Sequence, residues 1–210
     1  QWALAMHHDL LDAKNWAVEQ GITNKDQVAI MGGSYGGYAT LVGLTFTPDE
    51  FSCGVDIVGP SNLVTLLESI PPYWESFRKV FARAIGDPET EGGLSLLKDR
   101  SPLAHVDKIT KPLLIGQGAN DPRVKQAESD QIVEAMKARG IPVTYVLFPD
   151  EGHGFQKPEN NISFYAVTEA FLAECQGGRY QSVGDDFKNS SIQIPHGSEF
   201  VPGIANEVGS

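Results

Sequence analysis

The sequence predicts an α/β fold, a mostly parallel sheet with helices on both faces. Two observations predict it: short apolar runs that are continuous rather than alternating, as in strands buried on both sides, and helix-period segments that separate them. From Trp2 to Gln20, Leu10, Ala13, Trp16 and Ala17 fall at helical spacing and Gly21 supplies a stop. Val28-Ala29-Ile30-Met31 reads as the first strand, followed by a glycine-rich turn and a small-residue helix from Gly36 to Phe46. Gly54 to Gly59, Leu113 to Gly116 and Val143 to Phe148 read as the second, third and fourth strands. Lys125 to Arg139 and Ser163 to Glu174 are helical in pattern. The excursion from Leu63 to Lys108, with Pro71-Pro72-Tyr73-Trp74 and a polar section at Pro88 to Gly93, is expected to form short helices or a cap. Residues 177–210, rich in Gly, Ser, Asp and Asn, are expected as an extended C-terminal tail behind a domain of residues 1–176.

Composition narrows the function classes. With 210 residues, 41% hydrophobic and 20% charged, the chain can bury a core. A net charge of -11 with no block of Lys or Arg argues against nucleic-acid and anionic-membrane partners, both of which require a basic footprint. No apolar run approaches the roughly 18 residues of a membrane span. The N-terminus shows no secretory signal pattern, and a soluble protein is expected, with the cytoplasm favoured although the compartment stays open. Cys53 and Cys175 are too few for a disulfide framework or a Cys-rich zinc site. The chain opens on Gln1-Trp2-Ala3-Leu4, already helical in pattern and without Met, which reads as part of a longer polypeptide.

The strongest chemical signal is Gly32-Gly33-Ser34-Tyr35-Gly36, between a predicted strand and a predicted helix. It fits Gly-x-Ser-x-Gly, in which a serine is held on a tight turn and glycine two residues to either side removes steric collisions. An incidental serine in a glycine-rich turn is the bland alternative; no Lys follows as in a phosphate-binding loop, and no Gly-x-Gly-x-x-Gly occurs. A serine hydroxyl is a weak nucleophile and needs a base and an acid to orient that base. After the third strand comes Asn120-Asp121-Pro122-Arg123-Val124, and after the fourth Glu151-Gly152-His153-Gly154-Phe155. Each places a candidate at a strand's carboxyl end, where open α/β sheets collect reactive groups. Singly, Asp121 reads as a turn residue and His153 as a surface histidine, but the order Ser, Asp, His at three strand ends is that of α/β-hydrolases. His105 and His196 follow no buried strand. His7-His8-Asp9 suits a solvated helix face better than a metal, and Asp150 and Glu151 would have to fold back on their own loop to serve as the acid. Asp56, inside a strand, is left without a role.

These residues resemble the catalytic domain of the prolyl oligopeptidase family of serine peptidases, which includes acylaminoacyl and dipeptidyl peptidases. The resemblance runs from about Met6 to Phe171 and rests on Gly-Gly-Ser34-Tyr-Gly-Gly-Tyr, Asn120 to Val124 and Gly152 to Phe155, with Pro48 to Phe51 and Ser101-Pro102-Leu103 also similar. It implies an α/β-hydrolase fold whose N-terminal strands and propeller are missing from this chain, which leaves the Val28 to Met31 strand as an open edge. It implies Ser34 as nucleophile, His153 as general base and acid, Asp121 as the group that orients the imidazole, and the Tyr35 backbone N–H as one oxyanion donor. Arg123 matches a position that binds a substrate carbonyl, and Val124, Tyr73 and Trp74 are expected to line an apolar pocket. A second oxyanion donor is not found in the chain, and losing one such donor costs about 2.7 to 4 kcal/mol. The expected partner is a short peptide, with no metal and no cofactor. A carboxylesterase of the same fold, or a non-catalytic module forming a homo-oligomer through its open edge, are the alternatives.

Overall fold

The computed structural model describes residues 2–205. Strands β1 (Ile30–Gly33), β2 (Gly54–Ile57), β3 (Leu113–Gly118) and β4 (Val143–Phe148) lie side by side in chain order, all parallel. They match the four apolar runs of the sequence, shifted by two residues at β1. Helices α1 (Ala5–Glu19) and α2 (Tyr35–Phe46) flank β1 in the chain, and α3 (Leu63–Glu68), α4 (Arg78–Ala84) and α5 (Glu91–Asp99) form the excursion between β2 and β3. α6 (Gln126–Lys137) joins β3 to β4, and α7 (Pro158–Gln176) follows β4. Because every crossover steps to the next neighbour in one direction, right-handed connections bring the crossover helices to one face.

Side-chain alternation along the strands builds two cores. Leu113 and Ile115 of β3 and Val143 and Tyr145 of β4 pack with Leu41 and Leu44 of α2 and Ile132 and Met136 of α6. Leu114, Val146 and Phe148 point to the other face, against Phe164, Val167 and Phe171 of α7. A third cluster, around Tyr38, Leu63, Leu97 and Val124, binds the excursion to α2. Local chemistry sets the helix ends: Asn62 accepts the Val64 N–H at 3.0 Å, Thr90 accepts the Gly93 N–H at 3.1 Å, and Pro158 opens α7 while Gly177 closes it at φ 72°.

Residues 177–210 do not run as a plain extended tail over the described part. β5 (Gln193–His196) pairs antiparallel with β4, in register at Tyr145–His196 and Leu147–Gln193. The physical reason is that β4 would otherwise expose an edge and the face beside α7 would stay uncovered; Val183, Ile194, Val201 and Ile204 are buried there. At the opposite margin β1 pairs only with β2 among the described residues, so its other edge is open as expected.

A disulfide adds to the sequence reading, and His7 departs from it. Cys53, just before β2, and Cys175, near the end of α7, form a disulfide across 122 positions of sequence. His7 is buried rather than solvated; its Nε2 lies 2.9 Å from Thr47 Oγ1, and its Nδ1 is buried without a partner. Burial, with His8 adding to it, holds the His7 imidazole below its ordinary 6.5, while Glu50 opposes this.

Two outcomes are expected. A crosslink closing so long a loop restricts the unfolded chain, so Cys53→Ala/Cys175→Ala should lose about 2–5 kcal/mol in urea unfolding relative to the oxidised chain. The unfolded state takes up the His7 proton near pH 6.5 and the folded state only at lower pH, so this group's contribution falls as pH drops below 6.5. Unfolding free energies measured against pH should therefore fall less steeply below that point in His7→Gln.

Candidate active site

Ser34 sits between the end of β1 and the first residue of α2 with φ 59° and ψ -116°. A non-glycine residue pays of order 1–3 kcal/mol for such backbone and keeps it only where the surroundings enforce it. Here its N–H donates to the Ile57 carbonyl at 2.8 Å, and its own carbonyl accepts the Tyr38 N–H at 3.1 Å. At Gly32 an added Cβ would stand 2.6 Å from the Gly36 backbone, which explains that glycine. Gly36 is different: a Cβ there meets nothing within 4 Å, so the expected collision exists on one side of the serine only. The Tyr35 N–H occupies the first helical position, where no intrahelical acceptor exists, next to the positive end of the helix.

Asp121 lies in the loop after β3 and is 2% exposed. One carboxylate oxygen, Oδ1, accepts the N–H groups of Arg123 and Val124 at 2.8 and 2.9 Å. Its other oxygen, Oδ2, lies 2.8 Å from His153 Nδ1, and His153 Nε2 lies 2.9 Å from Ser34 Oγ. With Nδ1–H donating to the carboxylate, Nε2 presents its lone pair to the serine hydroxyl, the arrangement that a general base requires. The acid and histidine loops are bound to each other: the Asn120 N–H donates to the Glu151 carbonyl at 2.9 Å, and Asn120 Nδ2 to the Pro149 carbonyl at 2.7 Å.

The competing acids have other work. Glu151 is 4% exposed, and its carboxylate accepts the N–H groups of Gln156 and Lys157 at 3.0 and 2.9 Å, closing the loop that carries His153. Asp150, on the surface, is held down to about 2 by hydrogen bonds from Lys157 and Ser191. His105 bonds the Asp99 carbonyl at 2.8 Å, and His196 lies on β5. Among the described residues no group of three or more His, Cys, Asp or Glu could hold a metal ion, and no helix is long and apolar enough to cross a membrane.

Beside Ser34 opens an apolar cavity of about 150 Å³, with Trp74, Val124 and Arg123 in its wall. Tyr73 is not part of it; the residue is 57% exposed and its ring stands edge-on to Trp74. The short helical turn Pro72–Phe77 can turn only one of two adjacent aromatics inward. The Arg123 guanidinium lies 5.7 Å from the Trp74 ring centroid. Sequence reasoning missed Trp2, Pro60 and Leu66 in this wall. Trp2 is held by aromatic contacts with Tyr35 and Tyr38, at 4.7 and 5.0 Å between centroids, and by Arg100 Nη1 on its carbonyl at 2.7 Å. Behind the wall, buried Glu128 of α6 accepts the N–H groups of Ser61 and Asn62 and the Thr65 hydroxyl, tying α3 to α6. Burial pushes the Glu128 carboxyl up, while these hydrogen bonds pull it down.

Removing the Glu151 carboxylate takes the acceptor from the part-buried Gln156 and Lys157 N–H groups and from the buried Asn160 amide, and hydrogen bonds to a charged group are worth about 1.5–3 kcal/mol each. Glu151→Ala should therefore lose about 2–4 kcal/mol in chemical denaturation, an effect out of proportion to a surface loop.

The model of the prolyl oligopeptidase family matches residues 1–179. The chain is 68% identical over 205 residues to dipeptidyl aminopeptidase BIII of Pseudoxanthomonas mexicana, covering 98% of this chain and 30% of that protein. It is 56% identical over 195 residues to dipeptidyl peptidase family member 6 of Caenorhabditis elegans, covering 92% of this chain and 26% of the other. A solved puromycin-hydrolyzing peptidase of Mycobacterium tuberculosis matches with a TM-score of 0.79 at 29% identity, over 87% of this chain and 27% of that one. The chain thus spans less than a third of the length of these relatives, within the α/β-hydrolase fold. Motifs, sheet order and similarity agree: the chain belongs to the prolyl oligopeptidase family of peptidases.

Proposed function

We propose that this chain carries the reacting part of a serine peptidase that releases dipeptides from short peptides. The observation that supports this reading is the unbroken hydrogen-bond chain from Asp121 through His153 to Ser34. Ser34 Oγ attacks the scissile carbonyl carbon while His153 Nε2 takes its proton; the C–N bond breaks and the proton passes to the leaving amine. Water then gives a proton to His153 as it attacks the acyl-enzyme, and the proton returns to Ser34 as the acid leaves. Asp121 stays ionised and stabilises the imidazolium. The Tyr35 N–H donates to the developing oxyanion.

The apolar cavity with Trp74 and Val124 takes the side chain before the scissile bond, and exposed Arg123 reaches a substrate carbonyl. Dipeptide release follows the name of the relative at 68% identity. The free edge of β1 accepts either another strand of the same polypeptide or a second copy, which sedimentation distinguishes. The cytoplasmic preference read from the sequence stands against the Cys53–Cys175 disulfide, which persists in oxidising compartments. A thiol count on protein recovered from cells decides between them.

A fluorophosphonate should add once to the 210-residue chain and not to Ser34→Ala, read by intact mass. No adduct on folded chain overturns the assignment of Ser34. Dipeptidyl nitroanilides should be cleaved in preference to aminoacyl nitroanilides, whereas cleavage of nitrophenyl esters alone would make the protein an esterase. Asp121→Asn should lower kcat on the order of 10⁴-fold, the scale set by a misassigned imidazole tautomer.

A further inference from the structure

Asp56 is a carboxylic acid in the middle of β2, fully buried, and the proposed chemistry does not use it. Burying such a group is unfavourable unless it is bonded, so its presence there calls for a cause. Its Oδ1 accepts the Gly59 N–H at 2.8 Å, and its Oδ2 is buried with no hydrogen-bond partner. In the sheet it stands in register with Gly32, the first glycine of the serine turn. A Cβ on Gly37, in the first turn of α2, would overlap Oδ1, and so would a Cβ on Gly59. The backbones of the serine helix and of the turn after β2 therefore meet on one carboxyl oxygen.

Between Asp56 and Gly59 the chain passes through Val58 at φ 49°. A β-branched residue adopts that conformation only when its surroundings over-determine it. Two bonds do so: Val58 N–H donates to the Gly116 carbonyl at 2.9 Å, and Gly59 N–H donates to Asp56 Oδ1. The next residue, Pro60, lines the cavity beside Ser34. The turn that Asp56 closes thus connects the serine helix on one side to the cavity wall on the other.

We propose that Asp56 is a positioning residue for the Ser34 turn: its Oδ1 seats the Val58–Gly59 turn against the first turn of α2, fixing the Tyr35 N–H and Ser34 relative to the cavity wall. The inference rests on the proposed role of Ser34. Burial pushes the Asp56 carboxyl well above the usual carboxylate range, against the opposing Gly59 hydrogen bond. A neutral carboxyl keeps the acceptor without setting a negative charge beneath the helix end that faces the oxyanion. The acceptor, and not the charge, is what the turn requires.

The test uses the 210-residue chain, Asp56→Asn and Asp56→Ala. Two readouts are taken: the second-order rate of fluorophosphonate addition to Ser34 across about pH 6 to 9, and amide hydrogen exchange along the chain. Misplacing reacting groups by an ångström costs about 100-fold, so Asp56→Ala should react about 30- to 100-fold more slowly, while Asp56→Asn stays within about threefold of the parent at every pH. Exchange in Asp56→Ala should quicken about tenfold or more at residues 34–38 and 58–60 and stay unchanged in α7. Parent-like reactivity of Asp56→Ala overturns the proposal, and so does an Asp56→Asn variant as slow as Asp56→Ala.

If the parent takes no label, the assignment of Ser34 fails while exchange still decides this proposal: a change confined to the two turns supports it, and no local change overturns it. If Asp56→Ala does not fold, Gly37→Ala decides instead. Helix propensity alone favours that change, yet its Cβ meets Oδ1 and the Gly59 backbone. Local exchange faster than the parent's in a folded Gly37→Ala supports the proposal, and parent-like exchange overturns it.

Discussion

The backbone hydrogen bond from Ser34 N–H to the Ile57 carbonyl is the constraint on which the rest of the site depends. It holds a non-glycine residue at φ 59° at the point where β1 becomes α2. Without a fixed neighbour strand, that residue would relax toward ordinary backbone and its hydroxyl would swing away from the strand ends. The bond exists because β1 and β2 are parallel and in register from Ile30–Gly54 to Gly33–Ile57, which brings the last carbonyl of β2 beside the serine. Sheet register and the orientation of the hydroxyl are thus one constraint seen at two scales.

The other two groups are held by the same logic at the next strand ends. Asp121 divides its oxygens, one closing its own loop on the Arg123 and Val124 N–H groups ahead of α6 and the other meeting His153, so the loop that presents the acid also orients it. His153 has no secondary structure of its own to fix it. Its loop is closed from within by Glu151 and bound from outside by Asn120. Asn160 of α7 extends this bracing: its Nδ2 donates to Glu151 at 2.9 Å, and its Oδ1 accepts the Ser191 N–H at 2.9 Å. The segment leading into β5 is therefore part of the support for the histidine loop.

Buried carboxyl groups recur behind the site. Glu151, Glu128 and Asp56 each take backbone N–H groups from a turn that presents something to the cavity or to Ser34. Irregular backbone between strand and helix leaves N–H groups without ladder partners, and a carboxyl oxygen satisfies them strongly. Such a scaffold can hold sharp turns rigid under a cavity that is otherwise apolar.

Much of this was legible in the sequence. Continuous apolar runs identified four strands, and Gly-x-Ser-x-Gly, Asn120-Asp121-Pro122 and Gly152-His153-Gly154 placed Ser34, Asp121 and His153 at strand ends, because local sterics and burial act on residues close together in the chain. Everything that depends on distant partners was decided by tertiary structure alone. Cys53 meets Cys175 across 122 positions, His7 is buried against Thr47, and Tyr73 turns out while Trp74 turns in. β5 forms from a segment with no strand period, because what fixes it is the open edge of β4 and the apolar surface beside α7. Asp56 was visible as an anomaly in a strand, but its partners lie in a turn and a helix that only the packed sheet brings together. Local pattern was enough to set Ser34, Asp121 and His153 at three strand ends in that order; the fold decided what holds them, since long-range contacts follow from register and packing that no local pattern encodes.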